Sequence, residues 1–381
     1  MAPTPTAANH SPERVGAAAV LAALPEITAA RLRRVMGEWP DPQGALAAVR
    51  AGETGRVIAP RPSPGTPARL ARLWRAHVTD TVTMRARTLV GARETGLLLG
   101  ADAGYPIDVT TVADHPALLL AEGRRAGALE APRVAIVGTR AATPHGLADA
   151  HQLGAELAEA GVTIVSGMAI GIDAAAHSGA LDAGGRTVGV VATGLDIEYP
   201  RRHRSLYERV RADGLVVSEL GFGTQPSPER FPTRNRIIAA LADITVVVEA
   251  TVRGGARITA EHALRYGRDV FAMPGSRRNP AAQGCNELIR DGAQPLLDTD
   301  DVLLGIGMTP GARRTGSDAT PARPPLSGDA QTVHHALGGE PATLDELAQR
   351  TNLPLGSVAE ALCRLTRDRW AHSERGQWWP R

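Results

Sequence analysis

Lysine is absent from this 381-residue sequence, so all 42 of its basic side chains are arginine. Only two cysteines are present, Cys285 and Cys363, which excludes a disulfide framework and a cysteine-based metal cluster. No apolar run is long enough to cross a membrane, and the Pro/Thr/Ala/His opening does not have the pattern of a secretory signal. We therefore expect a globular, cytoplasmic protein that holds no metal.

The sequence also lacks an excess of charge of either sign. Its 42 arginines are balanced by 40 acidic residues, and the formal net charge is +2. Aromatic residues make up only 3% of the chain. A nucleic-acid site would therefore have to be a local cluster of arginines, in which phosphate contacts contribute more than base stacking.

The first part of the chain predicts a small helical domain. Residues 1–12 have the composition of a disordered tail, and residues 13–84 contain short segments with apolar residues at helical spacing. A domain of this helix-hairpin-helix or SAM-like kind could touch the DNA backbone through glycine-containing hairpins, or could be a scaffold or dimer contact. The turn Pro25-Glu26-Ile27 contains no glycine and favours the second role.

Strand and helix patterns alternate regularly over residues 85–306. The alternation begins with a predicted strand at 133–137 and a helix at 145–160, and continues to a short strand near Pro295. Such alternation is typical of an α/β domain with a doubly wound parallel sheet. Residues 307–330 have the composition of a linker.

The last segment, residues 331–381, predicts a winged helix. Thr343 with Glu346, and Ser357 with Glu360, have the spacing of capping boxes at two helix starts, and two short extended pieces end the chain. A winged helix can bind DNA through its second turn helix, or can serve only as a protein contact. Both roles remain open from the residues alone.

Four loops follow strands of the predicted sheet and should meet at one edge, where open parallel sheets bind ligands. Glycines there would let a ligand approach the backbone. Arg234 and Arg236 fall in the first turn of a predicted helix, where the dipole disfavours cations, so they indicate an anionic partner. The loops are Gly138-Thr139-Arg140, Ser166-Gly167-Met168-Ala169-Ile170-Gly171-Ile172-Asp173, Phe231-Pro232-Thr233-Arg234-Asn235-Arg236 and Arg253-Gly254-Gly255-Ala256-Arg257.

A catalytic interpretation of this edge is weaker. Ser166, Asp173 and His177 could suggest a hydrolase triad, but Ser166 is in no G-x-S-x-G elbow and a histidine in an alanine-rich helix is more often packed than catalytic. Glu249 could bind a ribose hydroxyl, but it follows a late strand. We expect no catalytic residue and no cofactor.

Ordered motifs over residues 95–300 resemble the DNA-processing protein A family, also called DprA or Smf. The motifs include VAIVGTR, VSGMAIGIDAAAHSGALDAGGRTVGVVATGLDIEYP, FPTRNRIIAALAD, GGARITAEHAL and QGCNELIRDGA. The resemblance implies an extended Rossmann-like domain that binds single-stranded DNA and forms a homodimer. It also implies a recombination mediator that protects incoming strands during natural transformation and hands them to the RecA recombinase.

The resemblance also implies particular DNA contacts. Arg140 matches the arginine of the family's G-S/T-R turn, and Ser166-Gly167 match its S-G turn. Basic and aromatic side chains of the loop before Arg234 are expected to touch the strand, and here the candidates are Phe222, Arg230 and Phe231. Relatives usually carry lysine before a Ser-Gly or Gly-Ser-Gly segment, where this chain has Arg253-Gly254-Gly255-Ala256-Arg257, so charge is kept while geometry changes.

Two alternatives belong to other functional classes. The glycine pair Gly254-Gly255 and Glu261 match part of the P-G-G-x-G-T-x-x-E motif of phosphoribohydrolases, but Arg253 replaces the proline and Arg257 the later glycine. The chain could otherwise be an adaptor whose sheet edge binds nothing and whose winged helix or dimer face binds the recombinase.

Overall fold

We describe a computed structural model of the chain over residues 10–58, 66–102, 105–123, 127–130, 132–309, 326–338, 341–367, 370–374 and 377–380. The predicted tail lies outside these residues up to residue 9, and the predicted linker lies outside them from 310 to 325. No helix in the described part is long and apolar enough to cross a membrane. The chain divides into two compact units, Met1–Arg314 and Thr315–Arg381, and each is described by itself.

Six helices form the N-terminal region, and their starts follow from side-chain caps. The side chains of Ser11, Thr28 and Thr79 each accept a hydrogen bond from the backbone N–H three residues further on. The predicted boundary at 84/85 falls inside the sixth helix, and the division into domains stays a prediction. The helices are α1 Pro12–Ala22, α2 Ala29–Glu38, α3 Pro42–Ala51, α4 Gly55–Ile58, α5 Thr66–His77 and α6 Asp80–Arg93.

A nine-stranded sheet forms the centre of the first unit, with strand order β1-β2-β6-β5-β4-β3-β7-β8-β9. Strands β1 and β2 are antiparallel to their neighbours and the other seven strands run parallel, which confirms the predicted α/β class. The strands are β1 Gly96–Leu99, β2 Leu118–Glu122, β3 Arg133–Val137, β4 Thr163–Ser166, β5 Thr187–Val190, β6 Leu215–Ser218, β7 Ile244–Val247, β8 Asp269–Ala272 and β9 Gln294–Pro295.

Helices cover both faces of the sheet. The helices are α7 Ile107–Thr110, α8 Pro144–Glu159, α9 Ile172–Asp182, α10 Arg204–Asp213, α11 Arg230–Leu241, α12 Gly255–Arg265, α13 Pro280–Arg290 and α14 Thr299–Gly305, and a 3-10 turn spans Arg201–His203. Alternate residues of each strand enter opposite layers. In β3, Val134 and Ile136 pack in one cluster with α8, α9 and α14, whereas Ala135 and Val137 pack in another with α11, α12 and α13.

The N-terminal helices share a hydrophobic cluster with the sheet. Leu97, Leu118 and Val216 of β1, β2 and β6 are buried in the same cluster as Leu21 of α1 and Trp74 of α5. Apolar surface removed from water stabilises the fold in proportion to its area. The helical region therefore shares a hydrophobic core with the sheet.

The second unit has the predicted winged-helix arrangement. Its elements are α15 Asp329–Leu337, β10 Ala342–Thr343, α16 Leu344–Thr351, α17 Leu355–Arg367, β11 Ala371–Glu374 and β12 Gln377–Pro380, with sheet order β10-β12-β11. The predicted capping box at Thr343 and Glu346 is present. Helix α17 begins at Leu355, so the predicted capping box at Ser357 and Glu360 does not mark its start.

Candidate nucleic-acid interface

Two adjoining cavities lie at the carboxyl ends of the parallel strands, and we call them together the groove. Their volumes are about 210 Å³ and 560 Å³, and both are lined by Arg140, Ala169, Tyr199, Phe231 and Arg234. In the sheet, β3 has β4 on one side and β7 on the other, so the strand order reverses here. Open α/β sheets bind ligands at such a switch point.

The backbone of the turn after β3 packs closely against neighbouring residues, and the Arg140 side chain extends from this turn into solvent. A Cβ added at Gly138 would lie 2.4 Å from Ile172 Cγ1 and 2.9 Å from the carbonyl oxygen of Glu249, so a side chain there requires movement. The amide of Thr139 donates to the Glu249 carbonyl at 2.7 Å. Arg140 is exposed and has no carboxylate partner among the described residues.

Arg140, Phe231 and Tyr199 form a stack at the mouth of the groove. The Arg140 guanidinium carbon lies 4.7 Å from the centre of the Phe231 ring, and the Phe231 and Tyr199 ring centres are 5.6 Å apart with a 40° tilt. Such a contact between a cation and a ring face is favourable, and it orients both groups. Tyr199 is 41% exposed, so the ring pair is open to a ligand.

The larger cavity ends at the start of α12. Gly254, Gly255 and Ala256 line it, and Gly254 provides no side-chain cap for the first N–H groups of this 11-residue helix. The side-chain amide of Asn235 donates to the Gly255 carbonyl at 3.1 Å and fixes the turn against α11. Uncapped N–H groups carry partial positive charge and suit an anionic ligand.

Arg234 forms the inner wall of both cavities and is only 6% exposed. Its Nη1 donates to the Gly167 carbonyl at 2.6 Å and also to the Val190 carbonyl, which ties the ends of β4 and β5 to α11. Burial lowers the pKa of the Arg234 guanidinium, and the charge of Asp173 opposes that shift. Arg234 therefore serves the fold and also adds positive potential to the groove.

The expectation that Arg234 and Arg236 lie in the first turn of a helix is wrong. Helix α11 begins at Arg230, so the two arginines lie in its second turn. The field of a helix dipole falls off within the first turn, so the dipole gives no reason to expect an anion beside these side chains.

Arg236 is not brought to the groove. It is 4% exposed, and its guanidinium donates to Glu219 Oε2 and to the backbone carbonyl of Asp114. Burial raises the pKa of Glu219, and the charge of Arg236 opposes that rise. A buried cation that already has a carboxylate partner cannot neutralise a ligand.

Other predicted contacts also lie away from the cavity walls. Ser166 is fully buried and donates to the Ile136 carbonyl at 2.6 Å. Arg257 bonds Glu287 of α13, and Arg230 donates to the Gln225 carbonyl. Phe222 packs against the N-terminal hydrophobic cluster, and Arg253 is exposed but lines neither cavity. The groove is lined by the predicted residues Gly138, Thr139, Arg140, Gly167, Phe231, Arg234, Asn235, Gly254 and Gly255.

The acidic residues near the groove have structural partners. Asp173 is buried, and its Oδ2 accepts from the amides of Gly167 at 3.1 Å and Ala169 at 3.3 Å. Burial raises the pKa of Asp173, and the charge of Arg234 opposes the rise. Glu249 accepts from the Thr143 amide at 2.9 Å and the Thr143 hydroxyl at 2.6 Å, which closes the loop before α8.

His177 and Glu261 do not line the groove. His177 is fully buried, its Nδ1 lies 2.6 Å from the Thr187 hydroxyl, and burial lowers its pKa to about 3. Glu261 is exposed on α12 and is absent from both cavity walls. These positions offer no support for the hydrolase triad or for the phosphoribohydrolase motif.

Tyr199 and Arg202 are cavity-lining residues that the sequence-based prediction missed. Both follow β5 and lie beyond Gly194, the glycine of that loop. Aromatic residues are only 3% of the chain, and this scarcity could have pointed to Tyr199 as a candidate. In a chain with few aromatic residues, an aromatic residue in the loop after a strand is a candidate nucleic-acid contact, as a basic residue is.

The chain matches two family models, one described as DNA recombination-mediator protein A over residues 96–307 and one as the DprA winged helix domain over residues 317–365. Protein Smf of Synechocystis is 37% identical over 296 residues, which covers 69% of this chain and 74% of that protein. The X-ray structure of DNA processing protein A from Streptococcus pneumoniae is 32% identical, with a TM-score of 0.65, and covers 77% of this chain and 98% of that one. A structure describing the single-stranded DNA binding mode of DNA processing protein A from Helicobacter pylori is 30% identical, with a TM-score of 0.49, and covers 55% of this chain and 94% of that one. The chain therefore belongs to the DNA recombination-mediator protein A family, which includes DNA processing protein A and protein Smf.

Proposed function

We propose that the groove binds single-stranded DNA without sequence preference. One observation carries this assignment: Arg140, Phe231 and Tyr199 stack at the mouth of a cavity of about 560 Å³ whose far end is an uncapped helix start. In this arrangement a ring surface that suits bases lies beside donors that suit phosphates. Non-specific single-strand binding requires that combination.

The ring pair favours unpaired bases over a duplex. In a duplex the faces of the bases are covered by their neighbours, so a protein ring can stack only on a base that has been unstacked. Phe231 and Tyr199 are 5.6 Å apart and tilted by 40°, so they present a continuous ring surface rather than a slot for one flat ligand. A strand whose bases are free to turn towards the protein can use this surface.

The phosphate contacts would come from the two sides of the larger cavity. Arg140 lies on one side, and the first N–H groups of α12, those of Gly255 and Ala256, lie on the other. Each phosphate neutralised on a single strand releases bound counterions and adds about 0.7 to the slope of log affinity against log salt.

We infer that the groove binds DNA and does not hydrolyse nucleotides. Asp173 is the one carboxylate among the described residues that line the two cavities, and its Oδ2 already accepts two backbone N–H bonds. A general base must reach the proton that it abstracts. Incubation with nucleoside monophosphates should therefore release no free base.

We propose further that the chain is a cytoplasmic homodimer that protects incoming single strands and loads the RecA recombinase during natural transformation. Family membership supports this role. Two grooves held in one dimer would raise the apparent affinity for a long strand without a new contact. A strand-exchange assay with single-stranded-DNA-binding protein present measures loading, and light scattering measures the mass of the particle.

Fluorescence anisotropy with labelled oligo-dT over a series of salt concentrations tests the assignment. We expect the full chain to prefer oligo-dT to the matching duplex, and Arg140→Ala to lower the salt slope by about 0.7. Arg290→Ala, a change of an exposed arginine at the end of α13, is the matched control. Equal binding of strand and duplex, or equal slopes for Arg140→Ala and the control, would show that the groove is not a binding site for single-stranded DNA.

A further inference from the structure

A further cavity lies among the N-terminal helices, and we call it the arginine pocket. Its volume is about 590 Å³, and its walls come from the end of α3, from α4 and from α5. Arg56 of α4 and Arg72 and Arg75 of α5 line it. None of its described lining residues also lines the groove, so it is a separate feature of the surface.

The turn between α3 and α4 gives the arginine pocket a fixed wall. Gly52 ends α3 with a φ of 80°, in the left-handed region that favours glycine, and the Glu53 amide donates to the Ala48 carbonyl at 3.0 Å. A Cβ added at Gly55 would lie 3.8 Å from the Cβ of Ala71, so the turn packs against α5 at van der Waals distance. The shape of this wall is therefore set by the backbone.

Helix α5 brings two arginines together on the opposite wall. Arg72 and Arg75 are three residues apart, and side chains at this spacing are neighbours on one face of a helix. Trp74 is fully buried, and its indole N–H donates to the Pro25 carbonyl at 2.8 Å, which fixes the rotation of α5. A Cβ added at Gly52 would lie 4.0 Å from Arg75 Cδ, so the Arg75 side chain extends past the end of α3.

The fold does not use the charges of these three arginines. Arg56, Arg72 and Arg75 are exposed, and none of them has a hydrogen-bond or ion-pair partner among the described residues. Like charges gathered around one cavity repel each other, and an anionic partner would relieve this repulsion. Other arginines of the same helical region have carboxylate partners, which are Asp41 for Arg14, Asp80 for Arg50 and Glu26 for Arg69.

The walls of the arginine pocket suit phosphate groups better than bases or peptide side chains. Guanidinium groups bind phosphate through paired charge-assisted hydrogen bonds. Glu53 is the one acidic residue among the described residues that line the pocket, so positive charge is in excess. No aromatic ring is available for stacking, and no large apolar side chain is available as an anchor for a peptide. The other described lining residues are Ala51, Gly52, Gly55, Pro67, Ala68 and Ala71.

A site that uses charge without stacking favours duplex DNA over a single strand. A duplex carries one negative charge per about 1.7 Å of its axis, and each phosphate contact adds about 0.9 to the salt slope, against about 0.7 for a single strand. Single strands offset this difference by stacking their bases on aromatic side chains. The arginine pocket has no such side chain among its described lining residues.

We propose that the arginine pocket binds the phosphate backbone of duplex DNA without sequence preference. Arg56, Arg72 and Arg75 each contact one phosphate. This site goes beyond the function proposed for the groove and does not depend on it. A chain with both sites holds a duplex on its N-terminal helices while the groove holds a single strand.

The salt dependence of duplex binding by the full chain tests the arginine pocket. In anisotropy titrations with a labelled duplex, Arg72→Ala/Arg75→Ala should lower the slope of log affinity against log salt by about 1.8, and Arg56→Ala should lower it by about 0.9. Neither variant should change the slope for oligo-dT. Arg85→Ala/Arg87→Ala removes two exposed arginines of α6 that do not line the pocket and is the matched control.

Three results would overturn the proposal. The first is a duplex slope for Arg72→Ala/Arg75→Ala that equals that of the control. The second is an equal fall of the duplex and oligo-dT slopes, because the pocket would then belong to the path of the single strand. The third is weaker binding of labelled poly-glutamate with an unchanged duplex slope, because the pocket would then bind an acidic peptide.

The two proposed sites can fail separately. If Arg140→Ala does not alter oligo-dT binding while Arg72→Ala/Arg75→Ala lowers the duplex slope, the groove assignment is wrong and the arginine pocket stands. Thermal unfolding of each variant checks that the loss of exposed side chains leaves the fold intact.

Discussion

The mouth of the groove and the buried layer beneath α11 both contain arginine, but they use its charge differently. At the mouth, Arg140 is exposed, lies over the Phe231 ring and has no carboxylate partner among the described residues. In the buried layer, Arg236 is 4% exposed and bonds Glu219. Burial and partners, rather than residue type, decide which arginine is available to a ligand.

The difference follows from the cost of removing a charge from water. A buried guanidinium is stable only when carboxylates or carbonyls satisfy it, and those groups then compete with any ligand. An exposed guanidinium keeps its hydration until a phosphate displaces counterions. Changes in the buried layer should therefore alter stability, and changes at the mouth should alter binding.

The largest effect is expected for Arg236→Ala in the buried layer. The substitution leaves the carboxylate of Glu219 buried without its partner, which typically costs about 3–5 kcal/mol of folding free energy. Urea unfolding measures this cost. Arg253→Ala, at an exposed arginine outside the cavities, is the control and should change stability by less than about 0.5 kcal/mol. A loss of similar size in both variants would mean that the Glu219 pair does not stabilise the fold.

His177 predicts an effect on stability that depends on pH. Burial lowers its folded-state pKa to about 3 from the usual 6.5, so the unfolded chain takes up a proton between these values and the folded chain does not. Stability from this group is therefore present above pH 6.5 and is lost as the pH falls towards 3, by up to about 1.4 kcal/mol per pH unit. His177→Gln should flatten the profile of unfolding free energy in this window. Parallel profiles for the two proteins would show that His177 titrates normally.

The smallest effect is expected at the mouth. Phe231→Ala removes a stacking surface and should weaken oligo-dT binding by about 1–3 kcal/mol, with no change in the salt slope because no phosphate contact is lost. Phe231→Trp retains a ring and serves as the matched variant. Anisotropy titrations measure both quantities. An altered salt slope, or full affinity without the ring, would show that Phe231 does not stack on the bound strand.

The order of strands and helices from β3 onwards was predictable because the sequence is locally consistent with the fold. In the sequence, strands that are buried on both faces are short runs of apolar residues, and glycines mark the ends of several helices. The turn at Gly138 was also predictable, since a glycine where an apolar run stops indicates a strand-to-helix turn. These features are determined by residues that are close together in the sequence, and they do not depend on contacts with distant residues.

The misplaced start of α11 has a local cause. A helix that begins at Arg234 excludes Pro232, but proline is tolerated in the first turn of a helix, where its missing N–H would have no partner. Helix α11 contains Pro232 as its third residue. The error moved Arg234 and Arg236 into the first turn and gave them a ligand-binding role that the dipole cannot justify.

The remaining differences depend on contacts between distant parts of the chain. Arg236 bonds Glu219, which lies beyond β6, and Arg257 bonds Glu287 of α13; no spacing in the sequence specifies these pairs. Tyr199 reaches Phe231 because the loop after β5 and the first turn of α11 meet at the sheet edge. Such pairings require the order of the strands in space, which a single sequence leaves open.

Ultraviolet cross-linking of oligo-dT to the full chain, followed by mass spectrometry of the peptides, tests most directly whether the groove holds the strand. We expect cross-links to peptides that contain Tyr199 and Phe231, because their rings would stack on the bases. They should disappear at high salt together with binding. Cross-links confined to the N-terminal helices or to the winged helix, with none at either ring, would contradict the account.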